Sequence, residues 1–217
     1  MKGKSTPRRH PSASLRVNSV TEKAAKEDLL LKSPVQFRGK VSAGELIATG
    51  RSFAIVVPRF NAFITERLLL SAHDGLVRCG ARPKNIRVVR VPGAFEIPSA
   101  ARTLAETKKY DAIICLGCLL RGDTAHYDVI VNEVTRGIGQ SAQETGVPHA
   151  FGVLTCDTLE QAIDRAGLKM GNKGFEAALA AVEMANLRKV VAGRRSLVVG
   201  KGKSKSRGPR RPSKPKS

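Results

Sequence analysis

The sequence predicts a three-layer α/β/α sandwich on a four-stranded parallel sheet, and three observations carry that prediction. Compact aliphatic runs, Ser52–Val57, Ile86–Val91, Asp111–Leu120 and His149–Thr155, read as buried strands. Between them the apolar residues recur at helical spacing, so strands and helices alternate along the chain. Such alternation sets the strands parallel, each crossover helix covering one face of the sheet. The third observation is composition. Aromatic residues are 4% of the 217 and tryptophan is absent, so Val, Ile, Leu and Ala must fill the core.

Taken in order, residues 1–33 are a basic extension without a sustained apolar period, and disorder is the expectation. A folded domain is expected over 34–188, and a low-complexity tail over 189–217. Val35–Ile47 is strand-like but broken by likely turn points at Gly39 and Gly44. Pro58 ends the first strand. Asn61 is then placed to cap a helix with apolar positions Ile64, Leu68, Ala72, Leu76 and Val77, closed by Gly80. The second strand turns at Pro92-Gly93 into a helix over Phe95–Thr107. The third breaks at Arg121-Gly122, with Asp123 and Thr124 placed to cap a helix running to about Gly146. Asp157 or Thr158 caps a fourth helix ending at Gly167. A polar turn, Lys169–Gly174, then leads to a last helix using Phe175, Leu179, Val182 and Leu187.

The formal net charge of +20 belongs to the ends of the chain. Residues 1–33 hold eight Lys/Arg against three acids, and 188–217 hold twelve against none, leaving the middle near balance. Cys115 and Cys118 have CxxC spacing, but no second pair completes a zinc site, and positions three apart on a strand face opposite ways. They read as core residues, with no metal and no disulfide expected, which favours a reducing, cytoplasmic setting. The basic N-terminus, free of acids as far as Val20, leaves an organelle transit peptide open. Apolar runs are too short to span a membrane.

Ligands of open α/β sheets collect at the carboxyl ends of strands. Those ends deliver Arg59-Phe60-Asn61, Gly93-Ala94-Phe95-Glu96, and Gly122-Asp123-Thr124 with His126. Phe60 is either core or an exposed stacking platform. Glu96 lies where a helix dipole alone accounts for a carboxylate, and Arg165 and Lys173 lie at a helix end and in a loop, where cations are common. His126, in the first turn of its helix, is biased toward neutral imidazole suited to proton transfer. Phe151 falls near the start of the fourth strand, away from that rim, which hints at sites shared between subunits.

From Val35 to Leu187 the chain resembles the lumazine synthase family of riboflavin biosynthesis. The matching text is Arg59-Phe60-Asn61, Val91–Pro98, Gly117–Asp128, Phe151–Thr155, Asp157–Ala162, Arg165–Gly167 and Gly171–Glu176. It covers about seven-tenths of the chain, and neither basic tail belongs to it. The resemblance implies a flavodoxin-like fold, no cofactor, and the condensation of 5-amino-6-(D-ribitylamino)uracil with 3,4-dihydroxy-2-butanone 4-phosphate. It also implies site roles. Phe60, beside Asn61, stacks on the pyrimidine. Ala94, Phe95 and Glu96 meet the heterocycle and ribityl chain, and backbone around Cys118, Leu119 and Leu120 lines the ring pocket. Asp123 and Thr124 offer N–H groups to the phosphate, and His126 shuttles protons. Phe151, Arg165 and Lys173 come from a neighbouring subunit, with Arg165 on the phosphate. A pentamer is implied, and the short Gly167–Gly174 turn matches members that pack twelve pentamers into a shell, with riboflavin synthase a partner of such shells. The basic tails suggest either polyanion or nucleic-acid contact or a solvated, solubilising surface.

Overall fold

The computed structural model describes residues 40–169 and 171–193, so the extension 1–33 and the tail beyond Gly193 lie outside the described residues. Strands β1 (Phe53–Pro58), β2 (Ile86–Val91), β3 (Ala112–Leu120) and β4 (His149–Cys156) form one parallel sheet in the order β2-β1-β3-β4. Helices α1 (Ala62–Arg78), α2 (Ile97–Glu106), α3 (His126–Thr145), α4 (Leu159–Arg165) and α5 (Lys173–Val191) make the connections and the outer layers. The register pairs Pro58 with Val91 and Leu120 with Cys156, so all four carboxyl ends form a single rim.

Strand alternation divides the core in two. Phe53, Ile55, Val57, Ile114, Leu116 and Cys118 face a layer containing α1, α4 and α5. Ala54, Val56, Ile113 and Cys115 face α2 and α3. β1 is fully buried, as a central strand covered on both faces must be. The two cysteines of the CxxC spacing do face opposite layers. Burial pushes both thiols up to about 12, with Cys156 beside Cys118 adding a smaller effect in the same direction. They remain protonated at neutral pH.

Several local expectations need correction. Asn61 precedes α1 but does not cap it with its side chain. It sits in the left-handed region at φ 56°, and its amide donates instead to the Cys118 carbonyl at 2.9 Å. No side chain caps α3 either, which starts after Ala125 rather than at the Asp123-Thr124 pair. Val77, expected in the core, is exposed. The last helix begins at Lys173, because the Asn172 side-chain oxygen Oδ1 accepts from the N–H groups of Gly174 (2.8 Å) and Phe175 (3.3 Å). Its buried face is Gly174, Ala177, Ala178, Ala181, Val182 and Ala185, with Phe175 and Leu187 only partly covered. Small residues let α5 lie close on α1: a Cβ at Gly174 would fall 2.1 Å from the Leu68 carbonyl oxygen. That helix continues to Val191, past the expected edge at 188.

Of the strand-like stretch Val35–Ile47, residues 35–39 lie outside the described residues and 42–47 contain no strand. Gly44 is a point of close approach rather than a turn, since a Cβ there would meet the Glu183 carbonyl oxygen at 2.0 Å. Asn186 holds the segment by donating to the carbonyls of Glu45 and Ile47. Among the described residues no helix is long and apolar enough to cross a membrane.

Candidate active site

The rim expected to bind ligand is a cleft of about 790 Å³. Backbone bonds fix its first wall: Arg59 N–H donates to Val91 O (2.8 Å) and Phe60 N–H to Pro92 O (3.2 Å), tying the ends of β1 and β2 together. The Asn61 amide ties the same turn to β3. Phe60 is thereby held outside the core, 69% exposed, which settles its two readings in favour of a ring presented to the cleft. Ala94, Phe95 and Glu96 form the second wall as one 3-10 turn leading into α2. The Glu96 carboxylate accepts from the Gly93 N–H at 2.9 Å, so one oxygen serves the helix start. Leu119 and Leu120 close the floor, and Gly122, Thr124 and His126 the far side.

Nine of the fourteen expected residues therefore line one cleft: Phe60, Asn61, Ala94, Phe95, Glu96, Leu119, Leu120, Thr124 and His126. Cys118 is buried beneath it and contributes its carbonyl to Asn61. Asp123 lies in the exposed loop before α3 without lining the cleft. Among the described residues, the N–H groups of Asp123 and Thr124 donate to no backbone acceptor.

Sequence reasoning left out Tyr127, Ile130 and Pro92, which complete the lining. It also passed over Arg121. That guanidinium lies 4.3 Å from the Tyr127 ring centroid, donates to Asp157 at 2.8 Å, and meets both oxygens of Asp128 at 3.1 and 3.2 Å. Hydrogen bonding to Asp157, then to Asp128, pushes it further above its ordinary range. Its backbone N–H donates to Cys156 O at 2.9 Å, so it fastens the loop between β3 and α3 to the end of β4. The available signal was its place immediately before the glycine that breaks β3.

Arg165 and Lys173 lie elsewhere. They line a second cleft of about 490 Å³ with Thr155, Cys156, Gln161 and Asp164, and the two clefts share no residue. Lys173 bonds Glu176 at 2.6 Å. Phe151 belongs to neither cleft. It is paired with Cys115 in register, five residues short of the rim on edge strand β4, and is 41% exposed. At about 3.3 Å per residue that is roughly 17 Å away along the strand. The lining of the first cleft includes no Lys or Arg. Among the described residues no group of three or more His, Cys, Asp or Glu is placed to hold a metal ion.

A parallel α/β sheet with an aromatic-walled cleft at its carboxyl rim, an uncapped helix start and an adjacent histidine defines a small-molecule enzyme of the open-sheet class. The sequence profile described as 6,7-dimethyl-8-ribityllumazine synthase matches residues 50–189. A relative from Desulfotalea psychrophila named 6,7-dimethyl-8-ribityllumazine synthase is 60% identical over 144 residues, spanning 66% of this chain and 93% of its own length. The chain belongs to the 6,7-dimethyl-8-ribityllumazine synthase family.

Proposed function

We propose that this chain condenses 5-amino-6-(D-ribitylamino)uracil with 3,4-dihydroxy-2-butanone 4-phosphate, giving 6,7-dimethyl-8-ribityllumazine, phosphate and water in riboflavin biosynthesis. The observation that carries the residue roles is the convergence of Phe60, Glu96, Leu119, Thr124 and His126 on one cleft. The exposed Phe60 ring stacks on the pyrimidine, and the Glu96 oxygen not engaged by Gly93 accepts from the amine or ribityl groups. The loop leading into the uncapped start of α3 offers the N–H groups of Asp123 and Thr124 to the phosphate dianion. His126, the first residue of α3, moves protons on and off nitrogen and oxygen during imine formation and loss of water. The reaction moves protons, water and phosphate without net electron transfer, so it calls for no redox cofactor. Holding two substrates side by side supplies much of the acceleration.

A phosphate dianion in a cleft without Lys or Arg needs a cation from elsewhere, and Arg165 and Lys173 face a different cleft of the same chain. The site is completed by a neighbouring chain, whose Arg165, Lys173 and Phe151 close it. Exposed apolar side chains on α1 and α3, Phe63 (62%), Leu70 (69%) and Val129 (57%), supply surface for such contacts. A ring whose subunits touch head to tail satisfies this geometry, and the pentamer of the family is the assembly proposed. The tight link from α4 to α5, which carries Gly167 at φ +112° and Gly171 at φ +79°, fits the sixty-subunit shell. The test is purified protein supplied with both substrates, followed by lumazine absorbance. Steady product formation is expected; no product under conditions where a known synthase turns over would overturn the reading.

A further inference from the structure

We propose that Arg121 is a positioning residue for the loop before α3, fixing the N–H groups of Asp123 and Thr124 for a phosphate that its own side chain does not touch; the inference rests on the proposed function. Those donors have little else to hold them. Residues 121–126 are all exposed, and a Cβ at Gly122 would meet nothing within 4 Å. Among the described residues, the N–H groups of Gly122, Asp123 and Thr124 donate to no backbone acceptor. The loop therefore has neither packing nor a backbone ladder to set its shape. Donors aimed at phosphate oxygens are effective only when held within about 0.5 Å of the productive geometry.

Arg121 supplies that constraint from both sides of the loop. Upstream, its backbone N–H donates to Cys156 O at 2.9 Å and its Nε to Asp157 Oδ1 at 2.8 Å, so main chain and side chain are both bound to the end of β4 and the turn after it. Downstream, Nη1 donates to the two oxygens of Asp128 at 3.1 and 3.2 Å, and the guanidinium carbon lies 4.3 Å from the Tyr127 ring centroid. Tyr127 and Asp128 belong to the first turn of α3. One side chain thus bridges the gap that the main chain crosses with Gly122–Ala125. A planar fork can donate along separate edges while its face lies against a ring, which a lysine ammonium cannot do.

The same contacts separate positioning from fold stability. The ion pairs are exposed, with the Arg121, Asp128 and Asp157 side chains 45%, 57% and 65% accessible, so they add little to stability. Arg121 is absent from the lining of the substrate cleft, whereas Gly122, Thr124, His126 and Tyr127 line it. What Arg121 controls is where those residues stand. Phe60 and Glu96, on the other walls, are held by bonds of their own to Pro92 and Gly93.

The test compares R121M with the wild-type, full-length assembly. KM for the phosphorylated substrate is expected to rise about 10-fold, the lower end of what a charge-assisted hydrogen bond is worth, with kcat and the KM for the amine little changed. Inorganic phosphate, used as a competitive inhibitor, weakens by the same factor, and the melting temperature moves by only a few degrees. R121K recovers part of the loss. D128A/D157A, which keeps Arg121 but frees it, raises the same KM. Undiminished or tighter phosphate binding in that double variant would mean that Arg121 meets the phosphate itself, and would overturn the positioning role. A fall in kcat with no split between the two KM values would show a merely structural role and overturn it equally. If the wild-type chain forms no lumazine, the proposed function fails. Calorimetric titration of inorganic phosphate into wild type and R121M then decides the role of Arg121 separately: weaker binding to R121M upholds it, and equal affinity, or none in either, overturns it.

Discussion

In the proposed reaction His126 and Arg165 act on different parts of the chemistry, so their variants should separate in steady-state kinetics. His126→Ala leaves substrate orientation intact, and general acid–base help is typically worth about 10²–10⁴-fold, with water a partial substitute in an open cleft. We expect kcat to fall toward the lower end of that range with KM little changed. Arg165→Ala, which removes the proposed cation from the phosphate, should raise KM for the phosphorylated substrate far more than for the amine. An unchanged KM for that substrate would remove Arg165 from the site. His149 carries a different prediction. Its Nδ1–H donates to Val147 O at 2.8 Å, so Nε2 of the neutral ring accepts from the Ser141 hydroxyl at 2.9 Å. Burial holds its pKa below the ordinary 6.5. The unfolded chain then binds this proton first as pH drops. The stabilisation is complete above about pH 6.5 and is lost as pH falls from there toward the folded-state value. Urea midpoints measured between pH 7.5 and 5 should decline, and His149→Gln should flatten that decline. An identical slope in the variant would show that other groups set it.

Among the elements, α5 shows best what sequence reading captures and what it misses. Strand and helix alternation was legible because strands buried on both faces are continuous aliphatic runs, as in Ala112–Leu116. The carboxyl rim followed, and with it the nine cleft residues. The buried face of α5 did not follow, because its alanines gain their meaning from the closeness of α1, a property of the pair. Asn61 reads as a cap in isolation, but its left-handed backbone is held by a bond to Cys118, 57 positions away. Arg121 likewise depends on Asp157 and Asp128 arriving from other elements. Two glycine substitutions separate close approach from helix propensity. Gly174→Ala should destabilise by about 1–3 kcal/mol, since backbone of α1 must move. Gly139→Ala, in open space on the exposed face of α3, should stabilise by about 0.5–1 kcal/mol. Thermal unfolding of both checks the pair, and equal effects would deny the tight α1–α5 contact its importance.

For the whole molecule, a single chain presents two separate clefts, one at the carboxyl rim lined by no Lys or Arg and one beside Cys156 lined by Arg165 and Lys173, which the proposed function reads as two halves of a shared site. Phe151, near the start of an edge strand, fits that division, since an edge is where another chain can reach. On the proposed reading, the loop before α3 is complete as local structure and incomplete as chemistry. The measurement that tests this most directly is complementation between two damaged chains. Thr124→Glu places a carboxylate where the phosphate is proposed to bind, and Arg165→Ala removes its proposed cation; each alone should be nearly inactive at limiting phosphorylated substrate. Co-expressed with different tags and purified through both, they should recover about a quarter of the wild-type rate, the share of head-to-tail contacts joining two undamaged halves in a random mixture. No recovery in mixed assemblies of native size would contradict the shared site and return both half-sites to one chain.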